Sequence, residues 1–232
     1  MNAAIAIGPV DPEALAGRLL TLASINDPMT GEVAPAVAAA NSKLWPLASR
    51  WRSIELRTVT EQGLRRIEEY RFAPVADAAP VKIFGFLPVA YVFDCDSGGR
   101  KVARVYSAHE LVSDRKPILP VDTQLIPHRG GEDIFVRYFP VLHSANMEAT
   151  LDLFESDGYL QHSNGETYQG RERLRVDFTR FYQSGGIKLR YCNKTDAGSI
   201  TALECYMPSG RPAVAIYERG RTGLVAAARL YL

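Results

Sequence analysis

No apolar run in the 232-residue chain approaches the ~18–20 residues that a membrane-spanning helix needs, so no membrane partner is expected. Cysteine is scarce. Cys95, Cys192 and Cys205 form no C-x-x-C pair and no even-numbered framework, which argues against a zinc site or a disulfide-stapled fold and for a reduced, cytoplasmic setting. Excess charge of either sign is missing too. Twenty-seven Lys and Arg against 26 Asp and Glu leave a formal charge of +1, too weak a field to gather phosphates, so nucleic acid is not an expected partner. The opening MNAAIAIGPVDPEAL has neither a basic start nor a sustained apolar stretch and does not read as a secretory signal. G-x-S-x-G, Walker and Rossmann patterns are absent, so redox and phosphoryl-transfer chemistry find no support and no cofactor is expected.

What is present is ordinary globular material: 47% apolar, 9% aromatic and 23% charged residues, in a chain long enough for one large domain or two small ones. Period-two apolar patterning predicts strands within 54–57, 81–93, 102–106, 187–192, 200–206 and 224–232. Asp11-Pro12-Glu13 supplies an N-cap, a proline at the first helical position and an acidic first turn, predicting a helix toward Ser24. Helical spacing recurs over 132–144, over 147–154 behind a possible Asn146 cap, and over 171–182, where Leu174, Phe178 and Phe181 share a face. Helices come first in each half and strands follow, an α+β plan rather than alternating βαβ units.

The stretch from Tyr91 to Tyr106 aligns without a gap on Ile216 to Tyr231. Gly98 meets Gly223, Ala103 meets Ala228, Arg104 meets Arg229 and Tyr106 meets Tyr231. Both read as strand, glycine turn, strand. Two hairpins can look alike by chance, but the offset of 125 is about half the chain, which favours an internal repeat. The join is expected within 113–131, where prolines, charges and Gly130-Gly131 cluster, dividing the chain into residues 1–125 and 126–232.

In the second half, Arg137-Tyr138 is followed by His143 and Asn146, then Leu151-Asp152-Leu153-Phe154 with Asp157, His162 ahead of Gly165, Tyr168-Gln169-Gly170-Arg171-Glu172, and a closing Arg229-Leu230-Tyr231. In this order the segments resemble the nuclear transport factor 2-like superfamily, and within it the ketosteroid isomerase and SnoaL-like polyketide cyclase branch. The first half resembles the same superfamily through its opening helix and closing hairpin, and departs from it over 28–80. The resemblance implies a cone-shaped, curved mixed β-sheet wrapped on helices, a cystatin-like α+β barrel, here in tandem with a degenerate first copy. It also implies an apolar pocket for a hydrophobic small molecule, aromatic or polycyclic, and cofactor-independent acid–base chemistry of lyase, isomerase, dehydratase or cyclase type. A non-catalytic binding or dimerisation scaffold is the alternative, and epoxide hydrolysis a third possibility.

His162 stands where ketosteroid isomerases hold the carboxylate that moves the proton, and an imidazole can act as acid or base near neutral pH. Tyr138 matches the tyrosine of the first family helix, which donates a hydrogen bond to a developing enolate. An inert rim histidine and a core tyrosine are the plain alternatives. No carboxylate aligns with the family's second oxyanion donor, whose position falls near Val214; Glu204 and Glu218 are the nearby candidates. Phe154, Phe178 and Tyr206 are candidate pocket walls, with Glu204, and with Arg229 and Tyr231 on one face of the last strand, as further substrate contacts. Asp94 and Asp96 beside Ser97-Gly98-Gly99 read as turn formers rather than metal ligands, and no metal is expected. His109 and Glu110 could reach a pocket mouth in the first half; His143 and His128 have no visible partner. For assembly, either a monomer that pairs its two halves internally or a homodimer is expected, because a sheet wrapped around helices on one face needs cover on the other.

Overall fold

The structure, a computed structural model, describes residues 8–28, 32–35, 51–75, 85–107 and 134–232. The join expected within 113–131, together with His109, Glu110 and His128, lies outside the described residues. The first sheet contains β1 (Pro9–Val10), β2 (Ser24–Asp27), β3 (Glu32–Pro35), β4 (Trp51–Gln62), β5 (Arg65–Pro74), β6 (Leu87–Cys95) and β7 (Lys101–Ser107), with α1 (Pro12–Leu20) against it. The second contains β8 (Phe154–Gln161), β9 (Thr167–Gln169), β10 (Arg190–Asp196), β11 (Ile200–Tyr206), β12 (Pro212–Arg219) and β13 (Val225–Tyr231). Its helices are α2 (Ile134–Ser144), α3 (Met147–Leu151) and α4 (Arg171–Tyr182). This is the α+β class with mixed sheets expected from the sequence.

Local chemistry sets the helix starts. Asp11 accepts the Glu13 N–H at 3.1 Å with Pro12 behind it, and Asn146 accepts the Ala149 N–H at 3.1 Å. The stretch 147–154 does not stay helical: α3 ends at Leu151, and Phe154 already belongs to β8. α1 likewise stops at Leu20, and β2 starts at Ser24.

The strand order is β1-β4-β5-β6-β7-β2-β3 in the first sheet and β10-β11-β12-β13-β8-β9 in the second. Leaving out β1, the two sheets have the same connectivity. In each, a long antiparallel meander ends on a strand that runs parallel to the first strand of its unit, β7 beside β2 and β13 beside β8. The hairpin repeat read from the sequence falls on β6–β7 and β12–β13. Its offset of 125 holds on the returning strands and slips by one on the leading strands, since Ala90 pairs with Tyr106 but Val214 with Tyr231. A bulge at Glu218/Arg219 takes up the difference.

Each sheet has two buried faces. One face packs under the helices: Leu15, Leu19, Ile54, Leu56, Tyr70, Phe72 and Tyr91 in the first unit, and Tyr138, Leu142, Phe154, Leu174, Phe178 and Tyr217 in the second. The other faces meet. Ile67, Ala90, Val92 and Tyr106 of the first sheet form one buried cluster with Ile200, Ala202, Val214, Ile216 and Tyr231 of the second. Taking nine apolar side chains out of water is a major driving force for this contact.

Crossing ion pairs frame that cluster. Glu69 on β5 accepts from Arg229 and from the Tyr231 hydroxyl of the second sheet, and from Thr58 beside it. Glu204 on β11 accepts from Arg104 and from the Tyr106 hydroxyl of the first sheet, and from Asn193 beside it. Thr58 and Asn193 hold the same register positions next to their glutamates. Each arginine also meets an acid of its own sheet, Arg229 with Glu218 and Arg104 with Asp94. The contact is therefore close to self-complementary, as in an isologous interface.

Candidate functional site

His162 follows β8 directly. Its N–H donates to the Glu166 carbonyl at 2.8 Å and its carbonyl accepts from Gly165, whose φ of 88° closes the turn. This tight turn holds the imidazole between Tyr168, edge-on at 5.5 Å, and Phe181 at 6.0 Å. Helix α4 begins after Gly170, a residue with φ of 79°, and turns Leu174, Asp177 and Phe178 toward the sheet at i, i+3 and i+4. Asp177 is thereby buried against His162, with Nε2 3.0 Å from each carboxylate oxygen and the Asp177 side chain only 2% exposed. With Nε2–H donating to that carboxylate, Nδ1 is left as the acceptor of the ring.

Tyr138, on α2, is 2% exposed and packs against Phe139, Phe154 and Tyr217, with ring centroids 5.4, 5.9 and 5.2 Å away. It shares a hydrogen bond with the Tyr217 hydroxyl. Burial raises its pKa well above the ordinary phenol value. Tyr182 and the Asp177 charge add to the rise and the Tyr217 bond opposes it, so at neutral pH the phenol keeps its proton. Phe154 bridges Tyr138 to Phe178 at 6.0 Å, and Phe178 continues to Tyr182 at 5.7 Å. Four of the residues expected at a site, His162, Tyr138, Phe154 and Phe178, thus share one aromatic interior. His162 is bonded to Asp177, whose charge also acts on Tyr138, and Phe154 links Tyr138 to Phe178.

The other four do not join them. Side chains alternate along a strand, so Leu203 faces the helices while Ala202, Glu204 and Tyr206 face the other way. Glu204 is held by Arg104 and Tyr106 from the first sheet, Arg229 is fully buried on Glu69 and Glu218, and Tyr231 donates to Glu69. Tyr206 lies under the Arg190 guanidinium at 4.4 Å. Glu204, Tyr206, Arg229 and Tyr231, expected as substrate contacts, sit on the sheet face away from His162, and Glu204, Arg229 and Tyr231 spend their polar groups on the contact between the sheets.

Two members of the interior were not singled out from the sequence. Asp177 could have been found as an acid at i+3 on a face otherwise formed by Leu174, Phe178 and Phe181. Tyr191, tilted against Phe139 with ring centroids 4.6 Å apart, has a buried hydroxyl with no hydrogen-bond partner among the described residues, and burial raises its pKa well above the ordinary value. His143 is not free in solvent: its Nε2 accepts the Leu189 N–H at 3.3 Å. Asp96 closes its turn by accepting from the Gly98 and Arg100 N–H groups, and Asp94 pairs with Arg65. Among the described residues no group of three or more His, Cys, Asp or Glu side chains is arranged to hold a metal, and no helix is long and apolar enough to cross a membrane.

No protein-family model and no curated protein matches the chain. Solved structures do. An NTF2-like protein of unknown function from Cytophaga hutchinsonii is 16% identical with a TM-score of 0.38, over 48% of this chain and 93% of that one. A SnoaL-like protein of unknown function from Burkholderia thailandensis is 11% identical with a TM-score of 0.40, over 46% and 98%. The epoxide hydrolase/cyclase-like enzyme SalBIII, of pyran ring formation in the polyether salinomycin, is 16% identical with a TM-score of 0.36, over 43% and 88%.

Proposed function

We propose that residues 134–232 form a cofactor-independent acid–base site acting on a hydrophobic small molecule, with isomerase, lyase, dehydratase or cyclase chemistry. The observation that carries this reading is the His162–Asp177 pair, set among aromatic rings on the helix-covered side of the second sheet. Asp177 fixes the tautomer that leaves Nδ1 to take a proton from substrate, and its charge stabilises the imidazolium that results. The substrate oxygen that gains charge needs a donor in a dry setting. Tyr138 and the unpartnered Tyr191 hydroxyl are protonated donors of that kind. The three free cysteines fit a reducing, cytoplasmic setting.

We propose further that the two sheets descend from one repeated unit, residues 1–125 and 126–232. The matching strand orders and the exchanged Glu69–Arg229 and Glu204–Arg104 pairs support this.

A test that needs no native substrate is deuterium uptake by β-tetralone, a bicyclic ketone with acidic α-hydrogens, in D2O. The protein should catalyse the exchange, and His162→Asn should lower the rate by about 10²–10⁴-fold while the fold, followed by circular dichroism, is kept. A protein that binds the ketone without speeding exchange, or a His162→Asn variant as fast as the parent, would refute the catalytic reading. Binding alone would favour the scaffold reading, which the commitment of Glu204, Arg229 and Tyr231 to the inter-sheet contact already suits.

A further inference from the structure

At the turn end of the first sheet, away from the His162 interior, a cleft of about 510 Å³ opens between the end of α1, the β4–β5 turn and the β6–β7 hairpin. That is within the size range of small-molecule sites. Four cations line it, Arg18, Arg65, Arg66 and Lys101, against two carboxylates, Glu61 and Asp94. Behind the wall, Glu68 is buried and already neutralised: it accepts from Arg18, from Arg66 and from the Tyr70 hydroxyl. Asp94 is likewise taken by Arg65. Of the lining acids only Glu61 stays exposed, with Oε1 on Arg66, whereas Lys101 is exposed and has no partner among the described residues. The arginines keep free edges as well: Arg18 Nε, Arg65 Nη1 and Arg66 Nη2 have no hydrogen-bond partner among the described residues. An anion entering the cleft therefore meets uncommitted donors from four cations against one exposed carboxylate, Glu61, which is itself paired with Arg66.

The rest of the wall is apolar. Phe93 lies beneath the Arg18 guanidinium at 5.5 Å, Leu22 flanks it, and Leu64 at the turn is 83% exposed. An exposed leucine is unremarkable by itself, but here it stands at the lip of a cleft floored by an aromatic ring. The carbonyls at the end of α1 would repel an anion. They are occupied: Arg18 O accepts from Thr21, and Leu19 O from the Leu22 N–H.

We propose that this cleft binds a small amphipathic carboxylate, its flat apolar body on Phe93, Leu22 and Leu64 and its anionic group on Lys101 and the free edge of Arg66. The site is separate from the His162 interior and does not depend on the activity assigned to it.

Cys95 provides the readout. It lines the cleft and is partly exposed, whereas Cys192 and Cys205 are buried, and burial pushes the Cys205 thiol up to about 12. Alkylation by iodoacetamide, followed by peptide mass mapping, should mark Cys95 first. 2-Naphthoate should slow that labelling saturably, and 2-naphthalenemethanol, which lacks the charge, should protect at least about threefold less well. Lys101→Glu, a change at an exposed strand end, should weaken protection by naphthoate by about threefold or more, and rising salt should do the same. His162→Asn should leave it unchanged. No saturable protection, equal protection by acid and alcohol, or full protection in Lys101→Glu would each overturn the assignment.

Discussion

Arg229 and Glu69, 160 residues apart in sequence, form a two-pronged ion pair across the contact between the sheets, at 2.6 and 2.8 Å, with neither side chain exposed. Arg104 and Glu204 make the reciprocal pair at 2.6 and 2.9 Å. Two charges taken out of water are tolerated because every strong acceptor finds a donor. Each glutamate receives an arginine and a tyrosine from the opposite sheet and a polar neighbour from its own. Whatever each pair contributes in net stability, it makes the docking of the sheets specific: a shift of one strand would strand a buried charge.

Breaking one side of the pair should therefore cost far more than replacing the pair. Arg229→Ala or Glu69→Ala should lower unfolding free energy by about 3–5 kcal/mol in urea titrations. Glu69→Leu with Arg229→Met and Tyr231→Phe removes the charges and the hydroxyl that would lose its acceptor, and should recover most of that loss. Equal stability of the parent and Arg229→Ala would show that the buried pair is not what fixes the contact.

Acid should loosen the same contact. Burial alone would raise the Glu69 carboxyl, but Arg229 beside it, with Thr58 and Tyr231 donating, holds it below its ordinary value of 4.5. A carboxylate depressed in the folded state contributes stability that is complete above the unfolded value and lost as pH falls through the folded one. Asp94 and Asp196 are lowered as well and act in the same direction. Melting temperature should hold down to about pH 5 and fall below about pH 4.5. The fall should be shallower in the Glu69→Leu, Arg229→Met, Tyr231→Phe variant. Parallel pH curves for the two proteins would count against Glu69 as a source of acid sensitivity.

How much of this was legible in the sequence depended on where charge sat. The hairpin repeat and the 171–182 helix were readable because apolar residues alternate or recur there at 3.6 spacing. β5 was not read, since Arg65–Pro74 carries Arg65, Arg66, Glu68, Glu69 and Arg71 and shows no apolar face. Both its faces are nevertheless buried, with Glu69 toward the second sheet and Tyr70 and Phe72 toward α1. Arg229 and Tyr231 were recognised as sharing a face, but their acceptor lies 160 or more positions away and no local pattern points to it. Register exposes one more correspondence that alignment missed. Asn26 pairs with Arg104 as Gln161 pairs with Arg229, so the buried Asp27 occupies in the first sheet the position of His162 in the second.

In solution the protein should be a single chain of 25.6 kDa, because the sheet faces that would seek a second copy already cover each other. Sedimentation equilibrium at tens of micromolar should return that mass. A stable species of twice the mass would mean that another surface pairs, and the internal contact would not suffice.

Tyr138 and Tyr217 should separate chemistry from packing. Tyr138→Phe removes a proposed oxyanion donor and should slow ketone exchange by about 10²–10³-fold. It also takes from the buried Tyr217 hydroxyl its bond to Tyr138, at a cost of about 1–3 kcal/mol. Adding Tyr217→Phe should restore stability and leave the rate low. If the double variant regains the rate, Tyr138 serves packing alone.

Asp177 is bonded to His162 through both carboxylate oxygens, and in the proposed mechanism it acts by positioning the ring. Asp177→Asn keeps the shape of the side chain but loses the charge that stabilises an imidazolium, and one edge of the amide is a donor that opposes Nε2–H. Turnover should fall by about 10²–10⁴-fold with little change in KM, because ground-state contacts to an apolar substrate are untouched. Nitrogen chemical shifts of the His162 ring should report the Nε2–H tautomer in the parent and a mixed or Nδ1–H population in Asp177→Asn. A purely structural Asp177 would lower stability without moving the tautomer. An unchanged ring spectrum together with unchanged turnover would remove the pair from the mechanism.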